Sequence, residues 1–304
     1  MKIRYERPVC RSAFWSQRLG LFALALFVIS AGLHRFSVME TDMFAALVAI
    51  CIAIALLAFG LACYGVLRLW MIGAEGGRAS ARGMFFALLV LVPASIAGHR
   101  AYTLPPLFDI STDTANVPVF LEPVTRGPDW LPEIEFLRAA PYEGQRQAYP
   151  QIIGRRYAGA LDRVLAAVRL VAENQGVSIS QTRMPEPPEP NEADSPASAS
   201  ITEIQTQTPG EVAAASEPAE GDVLGAAEPV LLRQAEIVLQ GKTRTPVFGF
   251  NSDVSIRLSE EAETTFVDMR AVSRFGPHDL GTNARIIDGF LNELDAELVG
   301  ISVR

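Results

Sequence analysis

The sequence predicts an α+β protein in which three N-terminal transmembrane helices precede an antiparallel β-sheet domain with two covering helices. Three observations predict it. Uncharged apolar runs occupy 19–33, 43–67 and 83–98. Apolar and polar residues alternate with period two through much of 235–271, as half-buried strands require. Two further stretches, 158–174 and 286–298, place apolar residues at helical spacing.

The middle run is 25 residues long without a formal charge. A bilayer core about 30 Å thick takes about 20 residues of helix, so this run spans with residues to spare. The first run is shorter, but Arg35 can snorkel to lengthen it, and no small-x-small cleavage site follows. The third contains Pro93, whose missing N–H neighbouring helices can accommodate. The predicted spans are about 19–35, 43–67 and 83–101, within an anchor covering 1–102. No Asp, Glu, Lys, Arg or His lies inside the three runs, which argues against a transporter or proton relay. Trp15, Trp70 and Tyr102 fall at or just beyond their ends, where amphipathic rings prefer to sit.

Charge gives the expected orientation. Residues 1–102 hold 10 Lys+Arg against 4 Asp+Glu, a balance of +6, and residues 103–304 hold 16 against 30, a balance of −14. Lys2, Arg4, Arg7, Arg11 and Arg18 precede the first run, and Arg68, Arg78 and Arg82 lie between the second and third. The loop between the first and second has only Arg35 against Glu40 and Asp42. Positive residues favour the cytoplasm, so the N-terminus is expected inside and 103–304 outside. With 2 lysines against 24 arginines, the composition suggests a GC-rich bacterial genome, an inner-membrane location and a periplasmic domain. The lipid bilayer is then the first partner. An acidic external part excludes nucleic acid, which needs a basic footprint.

In the external part, the proline-rich stretch 103–150 reads as an extended, wrapping segment. Leu161, Val164, Leu165, Val168 and Val171 form one stripe of a helix stopped at Gly176. A short strand begins at Val177. Residues 184–230 hold eight prolines, ten acidic residues and no basic one, and read as a disordered acidic insertion that cannot bury enough apolar surface to order. Strands follow around 235–239, 254–258 and 265–271. A final helix carries Ile286, Ile287, Phe290, Leu291, Leu294 and Leu298, with Asp279 or Thr282 to cap its start.

One polar constellation stands out. Alternation on the last strand puts Asp268, Arg270 and Arg274 on the face opposite Val267, Met269 and Ala271. Arg257 on the preceding strand shares that face, with Lys242 or Arg244 nearby. On an exposed sheet these residues, with Asp279, form a candidate site for an anionic ligand or an envelope protein, since arginine's planar fork suits carboxylate and phosphate. The structural alternative has Arg270 paired with Asp268 or a cross-strand acid, and Arg274 and Asp279 bracing the loop before the last helix. Catalytic motifs are weak. His278 is the only histidine after residue 103 and reads as a solvated loop residue. Adjacent residues such as Ser273, His278 and Asp279 rarely have triad geometry. Cys10, Cys51 and Cys63 have no zinc spacing, and no cofactor or metal is expected.

Several stretches resemble a bacterial family of unknown function, domain family fourteen ninety-nine. They are Asp109-Ile-Ser-Thr-Asp113 with Val117-Pro118 and Phe120, then Ala148-Tyr-Pro150, and Phe248-Gly-Phe250 with Asp253-Val254. The most specific is Val267-Asp-Met-Arg270 with Ser273-Arg274, Gly276, Asp279-Leu-Gly281 and Asn283-Ala-Arg285-Ile. The resemblance covers roughly 105–300 apart from the insertion. It implies a compact α+β domain, often attached to a membrane; it implies no reaction and carries no role for His278. The sequence therefore reads as a membrane-anchored periplasmic interaction module without catalysis. The alternatives are a hydrolase of envelope material using Asp268 and Asp279 as acid and base, and a purely structural envelope protein.

Overall fold

The computed structural model describes residues 8–124, 141–185 and 236–302. Helices α1 (Arg11–Arg35), α2 (Thr41–Ile72) and α3 (Gly77–Thr103) form an antiparallel bundle, and each is long and apolar enough to cross a membrane. They extend past the apolar runs because the polar flanking turns continue the backbone hydrogen bonding. Gly73, at φ 63°, ends α2 in the left-handed conformation that a side chain resists.

The bundle is packed through small residues. Ser16, Gly20 and Ala23 of α1, Cys51, Ala55, Ala58, Ala62 and Gly65 of α2, and Ser80, Gly83 and Ala87 of α3 are buried. Leu21, Phe22, Ile29, Leu56, Leu57 and Phe85 face outward. That pattern suits lipid as the solvent, where close backbone approach rather than apolar burial holds helices together. A Cβ on Gly83 would lie 2.8 Å from the backbone of α1, and one on Gly20 would lie 2.9 Å from the Gly83 carbonyl.

The sheet domain comprises β1 (Asp109–Ser111), α4 (Pro141–Ala148), β2 (Arg155–Ala158), α5 (Leu161–Asn174), β3 (Ser178–Arg183), β4 (Glu236–Arg244), β5 (Asn251–Glu261), β6 (Thr264–Ser273) and α6 (Thr282–Ser302). The strands are antiparallel in the order β1-β6-β5-β4-β3, with β2 also paired to β6. Helices α5 and α6 cover one face. Val164, Val168, Val171, Ile287, Phe290 and Leu294 pack there against Leu239, Ile256, Leu258, Val267 and Met269. The expected α+β class and its two covering helices are present. The sequence reading missed β1, β2 and α4, which lie in or next to the stretch read as extended. Except for 184 and 185, the acidic stretch 184–230 lies outside the described residues.

Two contacts fix the sheet domain to one end of the bundle. The β4–β5 hairpin reaches the α1–α2 loop, where His34 stacks on Phe44 at 4.5 Å between ring centroids, beside Phe248 and Phe250. His34 Nδ1 donates to the Phe248 carbonyl at 2.6 Å, so its Nε2 accepts from the Thr41 hydroxyl at 3.0 Å in the neutral ring. Arg35 donates to the Pro246 carbonyl, and Arg244 reaches Ser37. On the other side, His278 accepts the Leu280 N–H at Nδ1 (2.9 Å), leaving its Nε2–H to donate to the Leu104 carbonyl (3.1 Å) beyond α3. His278 is thus a half-buried brace between loop and anchor rather than a solvated residue, because both ring nitrogens find backbone partners.

Candidate functional site

Asp268, Arg270 and Arg257 share one face of the sheet, as alternation requires, and Arg257 lies directly opposite Asp268 in the β5–β6 register. The face is not exposed, contrary to the sequence expectation. Residues 112–122 cross it as a strap. The Ser255 hydroxyl donates to the Val119 carbonyl (2.8 Å), and Arg270 donates to the Pro118 carbonyl (3.1 Å) while its guanidinium lies over the Phe120 ring. Gln240 of β4 then clamps Glu122 as a strand neighbour would, accepting its N–H at 2.8 Å and donating to its carbonyl at 3.2 Å. A sheet whose outer face carries buried arginines needs such a cover, since buried polar groups are stable only when bonded.

Each arginine of the constellation has its own carboxylate. Arg257 donates to Asp268 at 2.7 Å and to Asp113 of the strap at 3.1 Å, and its side chain is only 8% exposed. Asp268 also accepts the Thr112 hydroxyl at 2.9 Å, and that hydroxyl accepts the Met269 N–H. Burial pushes the Asp268 carboxyl above its ordinary value, against the opposing hydrogen bonds from Arg257 and Thr112. Gly154 lets this cluster close, because a Cβ there would lie 2.5 Å from the Asp268 carboxylate. Arg270 grips Asp109 of β1 through two hydrogen bonds, at 2.9 and 2.6 Å. Arg274 holds Asp253 in the same forked way, at 2.6 and 2.7 Å. Arg244 turns away from this group toward Asn251 and the membrane loop.

Asp279 belongs to a different network. Its carboxylate accepts the backbone N–H groups of Gly281 (2.8 Å) and Asn283 (2.7 Å), capping the start of α6 as expected. Burial raises its carboxyl above the ordinary value, with those two bonds opposing. Asp268 and Asp279 are both buried, and each is engaged by its own set of donors. An acid–base pair around a substrate would need both to line one concavity. A cavity of about 240 Å³ between the end of α3 and the start of α6 is lined by Arg100, Tyr149, Leu280 and Arg285 among others, and by neither of these carboxylates. Among the described residues, no cluster of three or more His, Cys, Asp or Glu is placed to hold a metal ion.

A family model described as "Protein of unknown function (DUF1499)" matches residues 143–294. The chain belongs to the DUF1499 family. No curated protein and no solved structure matches it. The DUF1499 match runs from within α4 to the greater part of α6, and so includes Arg257, Asp268, Arg270, Arg274 and Asp279. It begins after the strap and β1, so Asp109, Thr112 and Asp113 lie outside it.

Sequence reasoning placed Asp268 beside Arg257 and offered Arg270 a cross-strand acid, but it named none of the other three partners. Asp109, Asp113 and Asp253 were quoted only as positions of resemblance. The signal that could have paired them is count: each cation on a strand face needs an anion within reach, and Asp109-Ile-Ser-Thr-Asp113 supplies two in five residues. Gln145, almost fully buried, was missed as well. It donates to the Ser111 carbonyl and accepts the Ser111 N–H, completing the edge of β1.

Proposed function

We propose that this DUF1499 protein is a non-catalytic interaction module held against the outer surface of a bacterial inner membrane, with its N-terminus in the cytoplasm. The observation that supports it most is the docking of the sheet domain on its own anchor at two points, His34–Phe248 and His278–Leu104. A domain fixed at the end of a membrane bundle presents a defined surface at the lipid boundary; a tethered enzyme has no need of such a fixed attachment. The ion pairs support the reading from the other side. The carboxylates best suited to acid–base chemistry are occupied by arginines or by a helix N-terminus. Arg257 and Arg270 then bind the chain's own strap, Arg274 is held by Asp253, and partners meet the module's remaining surface.

The charge of the loops supports the compartment. Arg11, Trp15, Trp70 and Arg78 lie at the end of the bundle opposite the sheet domain. A reporter enzyme active only outside the cytoplasm, fused after residue 304, is expected to be active. Activity confined to a cytosol-specific reporter at the same position would refute the placement.

A further inference from the structure

We propose that the cavity between the end of α3 and the start of α6 binds the phosphodiester headgroup of a membrane glycerophospholipid. The inference rests on α3 being a membrane helix and not on which side the sheet domain lies, so the reporter fusion tests a separate claim. The cavity lies where α3 leaves the apolar region: Arg100 and Leu104 line it, and the intervening Tyr102 is 91% exposed at the depth that aromatic rings favour. Its volume, about 240 Å³, falls below the range of roughly 300–1,000 Å³ typical of whole drug-sized ligands and suits a headgroup fragment.

The lining has the chemistry of such a headgroup. Leu104, Leu280 and Ala284 supply an apolar wall, and Arg100 and Arg285 supply two guanidinium groups. Arg285 is pinned along α6 by bonds to the Gly281 carbonyl (3.1 Å) and the Thr282 hydroxyl (3.2 Å), which fix its fork and use two of its donors. Asp288 also lines the cavity, so the three charged side chains sum to +1, matching a singly charged phosphodiester better than a dianionic monoester.

A second observation comes from Tyr149. Its hydroxyl is buried with no hydrogen-bond partner among the described residues, a state that costs about 1–3 kcal/mol. It sits over Gly281 beside the Leu104 side chain, and all three residues line the cavity. An acceptor oxygen entering there would satisfy it.

The test uses the full chain in detergent, with retained and added lipid read by native mass spectrometry. Dioctanoyl phosphatidylglycerol is the probe, and inorganic phosphate and dioctanoylglycerol are the competitors. Wild-type protein is expected to bind the phospholipid in preference to both, and Arg100→Gln/Arg285→Gln to bind it about tenfold more weakly. Unchanged affinity in that variant overturns the proposal. So does competition by phosphate, which would mark a free-phosphate site, or by dioctanoylglycerol, which would mark a merely apolar one. Should the double variant misfold, Tyr149→Phe decides. It removes an unsatisfied group, so stability is retained, and a several-fold loss of lipid affinity is expected; no loss refutes the site.

Discussion

Replacing Arg257 by Met tests whether the buried ion cluster closes the strap onto the sheet. The change keeps most of the side chain's volume and removes the cation that, among the described residues, Asp268 and Asp113 share. Removing one partner of a buried pair costs about 3–5 kcal/mol, because the other is left charged in a poorly solvated place. Asp113 is 26% exposed and can rehydrate, so the lower end, about 3 kcal/mol, is expected. At a typical urea dependence of about 2 kcal/mol per molar, the midpoint falls by about 1.5 M. Pulse proteolysis of the full chain in detergent, with urea as denaturant, reads this directly.

The pH dependence sharpens the test. The ordinary value for Asp268 is 3.8, and burial already raises it in the fold. A carboxyl raised by folding contributes stability that is complete below its unfolded value and is lost as pH rises through the folded one. Without Arg257 that rise grows, so the variant's deficit should shrink as pH falls and Asp268 takes up a proton. Arg257→Met/Asp268→Leu should recover to within about 1 kcal/mol of wild type, the residue being the Thr112 hydroxyl left without its acceptor. A deficit under about 0.5 kcal/mol for the single variant, or one that grows as pH falls, would refute the role given to the pair.

Gln240→Ala removes both bonds to the Glu122 backbone and should cost about 1–2 kcal/mol, with faster hydrogen exchange across 118–124 than elsewhere in the sheet. Gly83→Leu forces α1 and α3 apart and should destabilise the bundle by about 1–3 kcal/mol or more in a detergent thermal assay, leaving hydrogen exchange in β4–β6 unchanged. Tyr142 donates to Asp109 and, chiefly through burial, is pushed up from 10.0 to about 12. Its share of stability should be complete below pH 10 and lost as pH rises through about 12, and Tyr142→Phe should remove that phase from the phenolate absorbance titration.

What could be read from the sequence divides by the kind of force involved. The spans were legible because lipid admits only long uncharged helices. The β4–β5–β6 meander was legible because a half-buried strand must alternate. Both are local patterns, repeated over many residues. The inside of the membrane bundle was not legible by the same logic. Ser16, Gly20, Ala55 and Gly83 are ordinary in composition, and only their spacing on facing helices gives them a role. β1 and β2 are three and four residues long, too short for any period to show, and β1 depends on a glutamine more than thirty residues away.

The polar face shows the limit most clearly. Alternation placed Arg257, Asp268 and Arg270 together, but alternation cannot say whether the second face of a sheet meets water or protein. That depends on whether another segment brings matching charges, and beyond the three residues of β1 the segment that does so has no regular secondary structure. Its evidence is chemical: Asp109, Thr112 and Asp113 are spaced to meet Arg270, Asp268 and Arg257, and Pro118 and Val119 present carbonyls where the sheet presents donors. A strap held by ion pairs to a sheet face differs from one held by apolar burial in how it opens. Salt would act first on its more exposed charged anchors, Asp113 among them, while leaving the helix-covered core intact. The arginine face and the core are therefore two separately addressable halves of one sheet, and loss of the first should precede loss of the second as ionic strength is raised.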